Sequence, residues 1–120
     1  MVRNRGIISG EFENPIKSPY NLEYYDSSWE LEYMKELEQD GNVAKWTKNH
    51  GIRIPFFTPE NKFKTYNPDF LVEYSNGKIE LVEMKGEHLL NNPVTRRKME
   101  YAKKWCNARK ILYRIYSKYQ

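Results

Sequence analysis

The segment Asn67-Pro68-Asp69-Phe70 is followed, fourteen residues after its aspartate, by Glu83-Met84-Lys85, and these two segments decide the expected fold. The first stands at the start of a predicted strand, and the second falls within the next one. Two carboxylates that meet at one point can hold Mg²⁺, which prefers oxygen ligands. The cation polarises a phosphate and acidifies a bound water, and the lysine can orient that water or neutralise charge on the phosphate. The pattern therefore predicts metal-dependent phosphodiester cleavage by Asp69, Glu83 and Lys85.

The loop between these two strands decides whether the carboxylates meet. A two-residue Asn-Gly loop would pair Asp69 with Met84 and turn Glu83 to the other face. A three-residue loop at residues 75–77, with Gly77 in the left-handed conformation, pairs Asp69 with Glu83 instead. Directly opposed residues share a face at roughly 5 Å. The nuclease hypothesis therefore predicts the three-residue loop with its glycine bulge.

The rest of the chain predicts a single α/β domain at residues 26–120, preceded by an extended or irregular arm at residues 1–25. Ser27 is a good N-cap with Glu30 three residues later, and Gly41 supplies a stop, so a helix is expected to run to about Asp40. Strands are predicted at 52–57, 63–74 (irregular at Pro68), 78–85 and 111–116, a second helix at about 94–108, and a loop or short helical turn at 42–49. This order gives an α/β sandwich with a mixed central sheet flanked by helices.

Composition excludes several classes of protein. The chain has 120 residues, of which 39% are hydrophobic, so it can bury a core and is not a disordered tail. No apolar run approaches the roughly 20 residues that span a bilayer, and no secretory signal is expected, so we expect an intracellular protein with no membrane partner. A single cysteine, Cys106, excludes an internal disulfide and a multi-cysteine zinc site.

The net charge of +4 is unevenly distributed. Residues 93–120 hold nine Lys and Arg against one acid, a net +8, whereas the remainder holds 11 basic and 15 acidic residues, a net −4. A basic C-terminal third beside an acidic body suggests a surface for a polyanion such as DNA. A solvated, lysine-rich helix is an equal alternative on charge alone.

Glu30 has two interpretations. It is the reciprocal capping-box partner of Ser27, and it also lies on the apolar stripe of its helix, where a carboxylate needs compensation. A metal, or a water bound to one, would supply that compensation, so we include Glu30 among the expected site residues. Glu73 and Glu80 are expected to be solvated positions on the hairpin, and His50 to be structural or exposed.

These motifs resemble the PD-(D/E)xK nuclease superfamily. Within it the chain is most similar to the head-completion nucleases of T-even-type tailed phages, and more distantly to transposase-associated cutting subunits. The similarity covers roughly residues 20–116 and is carried by the following segments: Tyr25-Asp26-Ser27-Ser28-Trp29-Glu30-Leu31, Asn42-Val43-Ala44-Lys45-Trp46, Ile54-Pro55-Phe56-Phe57-Thr58-Pro59 and Tyr66-Asn67-Pro68-Asp69-Phe70.

The resemblance implies a Mg²⁺-dependent DNA endonuclease with a restriction-endonuclease-like fold, for which Mn²⁺ is expected to substitute. It gives metal-ligand roles to Asp69, Glu83 and the backbone carbonyl of Met84, and a water-positioning role to Lys85. Glu30 takes the role of the helix carboxylate. The resemblance also places the second helix beside the site, with Lys98 and Tyr101 as expected phosphate contacts. The basic charge of the same helix adds Arg96, Arg97, Lys103 and Lys104 as expected contacts to the DNA backbone.

Three functions are therefore weighed. The first is a phage-encoded DNA endonuclease of DNA processing, packaging or head completion, located in the host cytoplasm or the virion and in contact with phage head or packaging proteins. The second is a junction-resolving nuclease that acts on branched DNA as a homodimer. The third is a non-catalytic DNA-binding or virion structural protein that keeps the fold, against which the intact Asp69, Glu83 and Lys85 argue.

Overall fold

The computed structural model describes residues 9–118. Ten regular elements follow one another along this part of the chain, with a short 3₁₀ turn (Glu87–Leu89) before the second helix. They are β1 (Gly10–Glu13), β2 (Leu22–Tyr25), α1 (Ser28–Gln39), β3 (Val43–Thr47), β4 (Ile54–Phe57), β5 (Phe63–Tyr66), β6 (Phe70–Tyr74), β7 (Ile79–Gly86), α2 (Pro93–Ala108) and β8 (Leu112–Lys118).

A four-stranded mixed sheet lies at the centre, with its strands in the order β3-β6-β7-β8. β6 pairs antiparallel with both neighbours, whereas β8 runs parallel to β7 because α2 carries the chain back across the sheet. α1 packs on one face with Phe70, Val72 and Val82, and α2 packs on the other with Leu81. The predicted fold class, a mixed sheet flanked by helices, is confirmed.

α1 begins where its capping residues predict. The Ser27 hydroxyl accepts a hydrogen bond from the backbone N–H of Glu30 at 3.1 Å, and the Glu30 carboxylate accepts one from the N–H of Asp26 at 2.9 Å. The first bond satisfies a donor that the first helical turn leaves without an intrahelical partner, and the second ties the residue before the N-cap to the helix. No helix within residues 9–118 combines the length and apolar character needed to cross a bilayer.

Two predicted elements are wrong. Residues 42–49, expected to be a loop or short helical turn, form the edge strand β3, whose register shifts between Val43 and Lys45. This irregularity breaks the alternation by which a strand is recognised. The single long strand predicted at residues 63–74 is two strands: β5 pairs with β4 in a separate hairpin, and β6 enters the central sheet. Pro68, which has no N–H to donate, lies between them.

The N-terminal arm is more regular than expected. Residues 1–8 lie outside the described residues, but β1 and β2 pair as an antiparallel hairpin. The ring of Phe12 meets that of Trp46 edge-on at 6.1 Å. The buried carboxylate of Glu23 accepts hydrogen bonds from the Thr47 hydroxyl at 2.6 Å and the Lys48 backbone N–H at 3.0 Å. The described part of the arm is thus a hairpin fastened to the end of β3.

Candidate active site

The turn between β6 and β7 has the three-residue form. The N–H of Tyr74 donates to the carbonyl of Lys78 at 2.8 Å, and the N–H of Gly77 donates to the carbonyl of Tyr74 at 2.9 Å. Gly77 has a φ of 88°, a left-handed conformation that costs little only in glycine. The pairing runs without a shift up to Phe70 opposite Val82. The next pair in this register is Asp69 opposite Glu83, as the nuclease hypothesis predicted.

Asp69, Glu83 and Lys85 come together at the end of this hairpin. One Asp69 oxygen accepts a hydrogen bond from the backbone N–H of Met84 at 2.8 Å. Glu83 is only 7% exposed, and its Oε2 lies 3.5 Å from the ammonium of Lys85. Its other oxygen, Oε1, is buried and makes no hydrogen bond to any atom of residues 9–118.

The electrostatics of Glu83 follow from this geometry. Burial, and then the negative charge of Asp69, raise the pKa of the Glu83 carboxyl to about 8, although Lys85 opposes the shift. Behind it, the hydroxyls of Tyr66 and Tyr113 lie 2.9 Å apart. Burial and then the nearby Glu83 charge raise the pKa of Tyr66, so the Tyr66 hydroxyl stays protonated. The charge of Asp69 and the burial of Glu83 therefore disfavour a second negative charge at this position.

A divalent cation fits this donor set. Carboxylate and carbonyl oxygens are hard ligands, and Mg²⁺ commonly binds one or two carboxylates while it keeps several waters. A cation would also satisfy the buried oxygen of Glu83, which otherwise costs free energy. No three His, Cys, Asp or Glu side chains cluster for a metal anywhere in the described range. A cation here would be held by Asp69 and Glu83 with the Met84 carbonyl, and water or phosphate oxygen would complete the shell.

Glu30 is already paired. It is buried on α1, where its carboxylate forms an ion pair with the ammonium of Lys48 as well as accepting the Asp26 N–H. Lys48 also lies 3.3 Å from Asp26, and its ammonium lies 5.7 Å from the centre of the Phe70 ring. The structure thus places Glu30 beside Lys48, in a direct contact that sequence inspection missed.

Lys48 could have been found if β3 had been recognised. Thr47 pairs with Leu71 in the sheet, so the next pair in register is Lys48 with Phe70, the neighbour of Asp69. Its position beside Phe70 follows from the pairing of β3 with β6, but the register shift within β3 made this strand hard to recognise in the sequence.

His50 holds the chain segment in front of Asp69. Its Nδ1 accepts a hydrogen bond from the N–H of Ile52 at 3.0 Å, so we assign the proton to Nε2, which donates to the carbonyl of Pro68 at 2.6 Å. Burial lowers the pKa of His50, which favours this neutral form. The side-chain amide of Asn67 adds a bond to the Ile52 carbonyl at 2.8 Å. His50 is thus structural, one of the two roles expected, and it braces the proline-aspartate turn.

The basic residues of α2 face in several directions. Lys98 lies nearest the carboxylates: its ammonium lies 5.4 Å from the Tyr66 ring centre, and burial and then the charge of Lys85 lower its pKa. Arg97 reaches the carbonyl of Phe57 at 3.5 Å, and Tyr101 packs on Phe56 with the ring centres 6.3 Å apart. The remaining predicted DNA contacts are exposed: Arg96, Lys103 and Lys104.

A mixed sheet flanked by helices, with opposed carboxylates and a lysine at the end of one hairpin, defines a nuclease of the PD-(D/E)xK type. The model of one such family, the TnsA-like endonuclease N-terminal domain, matches residues 40–118. The chain belongs to this family, and the matched segment contains Asp69, Glu83 and Lys85. No curated protein matches the chain. The match supports the superfamily expected from the motifs, whereas Glu30, on α1, lies outside the matched residues.

Proposed function

We propose that this protein is a divalent-metal-dependent DNA endonuclease whose active site is built on Asp69, Glu83 and Lys85. The observation that carries the proposal is the pair of opposed carboxylates, half-buried Asp69 and buried Glu83, in which one Glu83 oxygen finds no donor among the described residues. Such a group destabilises the fold unless it has a ligand. Membership of an endonuclease family supplies the reaction class.

Each residue has a separate task in this proposal. Asp69, Glu83 and the Met84 carbonyl hold the cation, for which we propose Mg²⁺ with Mn²⁺ as a substitute. When bound, the cation polarises the scissile phosphate and acidifies a water. Lys85, with its ammonium beside Glu83, positions the attacking water or stabilises charge that develops on the phosphate oxygens.

The substrate is held by charge. Lys98 lies on the α2 side of the site, where an ammonium can neutralise the phosphate next to the scissile bond. Arg96, Arg97, Lys103 and Lys104 extend the positive surface along α2, and Tyr101 lies among them. Contacts to phosphate carry no base information, so binding should be insensitive to sequence and should weaken steeply with salt.

The biological setting is part of the proposal and rests on the motif resemblance at residues 25–31, 42–46, 54–59 and 66–70. A phage-encoded enzyme that acts in DNA processing, packaging or head completion would work in the host cytoplasm or in the virion. A homodimer that resolves branched DNA is the alternative within the same chemistry, and a non-catalytic virion or DNA-binding protein is the alternative outside it.

A cleavage assay tests the catalytic proposal. Supercoiled plasmid and a synthetic four-way junction are incubated with the wild type, Asp69→Asn and Glu73→Gln, in Mg²⁺ or in EDTA. Glu73 is a half-buried carboxylate four positions further along β6, so its variant removes the same charge away from the site. We expect Mg²⁺-dependent cutting by the wild type and Glu73→Gln, and none by a folded Asp69→Asn.

Retained cutting by Asp69→Asn would overturn the assignment of the site. A folded wild type that cuts neither DNA would support the binding-protein alternative. Preference for the junction, together with a dimer in size-exclusion chromatography, would select the branched-DNA alternative over the linear substrate.

A further inference from the structure

Lys48 contacts both the Glu30 carboxylate of α1 and the Phe70 ring of the catalytic hairpin. Its side chain is 14% exposed, and that of Glu30, with which it forms an ion pair, is 10% exposed. A second carboxylate, Asp26, lies 3.3 Å away but is largely in solvent. The buried Glu30–Lys48 pair is therefore the stronger of the two contacts.

The position of the Lys48 ammonium is fixed from the side of the catalytic strand as well. It lies over the ring of Phe70, which directly follows Asp69. Two residues further along, His50 is bonded to the Pro68 carbonyl, so the segment that carries Lys48 is fastened to the residue before Asp69. Lys48 is thus held between the helix carboxylate and the beginning of β6.

The charges agree with this position. Burial alone would lower the pKa of Lys48, but the Glu30 carboxylate, followed by the charge of Asp69, outweighs it and raises the pKa. Lys48 therefore stays an ammonium at any working pH. On the other flank of the site, Lys85 lies beside Glu83. One ammonium thus lies beside Glu30 and another beside Glu83.

A divalent cation shared by Glu30 and Asp69 would have to displace this ammonium. Lys48 would then be buried close to a cation without its partner, and an unpaired buried charge is strongly destabilising. A cation bound by Asp69 and Glu83 would not have to displace an ammonium from Glu83 Oε1, because that buried oxygen has no partner in the described residues.

We propose that Lys48 is a positioning residue whose ammonium takes the place of a second divalent cation between Glu30 and Asp69, so that the site binds a single cation at Asp69 and Glu83. The inference rests on the proposed function and specifies its metal count. Glu30 then acts through Lys48, by holding the ammonium in place.

Mn²⁺ binding gives the number of cations in the site directly and requires no DNA cleavage. The number of Mn²⁺ ions bound per chain is determined by electron paramagnetic resonance of the free ion, for the wild type, Lys48→Arg and Lys48→Met. We expect one ion for the wild type and for Lys48→Arg, which keeps the charge. Lys48→Met has a similar length without charge and exposes Glu30 to the site, so we expect two ions.

Thermal unfolding separates this role from a merely structural one. Lys48→Met should melt below the wild type in EDTA and should gain more from Mn²⁺ than the wild type does, because the second ion replaces the lost charge. An equal drop in melting temperature with and without Mn²⁺, and a count that stays at one, would show that Lys48 only supports the fold. Two ions in the wild type would also overturn the inference.

If Lys48→Met fails to fold, the double variant Lys48→Met/Glu30→Gln removes both charges of the pair. We expect it to bind one ion, and loss of that ion would make Glu30 a ligand and overturn the inference. Two other outcomes would contradict the proposed function rather than the role of Lys48. In the first, the wild type binds no Mn²⁺; in the second, Asp69→Asn binds Mn²⁺ as the wild type does. Either outcome would show that there is no metal site at Asp69 and Glu83.

Discussion

Two glutamates of β7, three positions apart, are buried to the same extent in opposite surroundings. Glu80 is 8% exposed and Glu83 is 7% exposed. The two oxygens of Glu80 accept hydrogen bonds from the Tyr74 hydroxyl at 2.6 Å and the Arg114 guanidinium at 3.2 Å. Glu83 faces Asp69 and has one oxygen without a donor in the described structure. Burial alone therefore does not distinguish the two acids, whereas the compensation of their charge does.

The two faces of β7 explain the difference. Glu80 lies on the face toward α1. There the Arg114 guanidinium donates both to the Glu80 carboxylate and, at 2.9 Å, to the hydroxyl of Tyr33, so the three side chains form one hydrogen-bonded network. Glu83 lies on the face toward α2, at the end of the hairpin. One side of the strand stabilises the fold, and the other side carries a group that the fold leaves unsatisfied.

The largest expected effect is on cleavage. Glu83→Gln should reduce the single-turnover rate by about 10³-fold, since the metal supplies several kcal/mol of charge stabilisation and roughly each 1.4 kcal/mol is tenfold. Glu80→Gln is the matched control, with the same change in the same strand, and should keep the rate within a few-fold. Similar losses in both variants, measured on one DNA substrate in Mg²⁺, would erase the proposed distinction.

The second effect is on stability, and here Glu80 rather than Glu83 is the residue whose replacement is expected to be costly. Glu80→Gln leaves Arg114 without its carboxylate and should lower the free energy of unfolding by about 1–3 kcal/mol. The lower half of that range is expected, because the Arg114 side chain is 40% exposed and solvent replaces part of the interaction. Urea denaturation of the metal-free protein measures this difference, and a variant as stable as the wild type would contradict the structural role of Glu80.

The smallest effect is a gain. In EDTA, Glu83→Gln should raise the free energy of unfolding by about 1 kcal/mol at alkaline pH, because it removes a buried charge beside Asp69. The wild-type pKa of about 8, against an ordinary 4.5, means that the folded state binds more protons than the unfolded state between these values. Wild-type stability should therefore fall as pH rises through this window.

The gain of Glu83→Gln over the wild type should accordingly be small near pH 5 and complete near pH 9. Urea denaturation at several pH values gives this profile. A gap that does not widen with pH, or a variant less stable than the wild type at alkaline pH, would show that Glu83 is compensated after all.

The comparison also shows where sequence reasoning succeeded. The Asp69–Glu83 pair depended on the choice between two turns, and the nuclease hypothesis selected the three-residue turn that ends in Gly77. Glu80 was expected to be solvated because strict alternation assumes one exposed face. That expectation is wrong, since β7 is a central strand with both faces covered, and in such strands both sets of alternating residues are buried.

The other errors have the same origin in distant contacts. β3 was missed because its partner, β6, comes more than twenty residues later and its register is shifted. The arm was expected to be irregular, although Glu23 fastens it to Thr47. Lys48 was not considered because its partner Glu30 lies 18 residues earlier, on another element.

The sequence alone determined the capped start of α1, the register of the β6–β7 hairpin and the meeting of Asp69 with Glu83. Each of these depends on residues that are neighbours in the chain, where turn and cap chemistry fixes a geometry. The tertiary structure alone decided that Glu80 is neutralised by Arg114, that Lys48 pairs with Glu30 and lies over Phe70 of β6, and that Glu83 keeps a buried oxygen without a donor in residues 9–118. These depend on which distant groups meet when the sheet is covered on both faces, and compensation of a buried charge is a property of that whole environment.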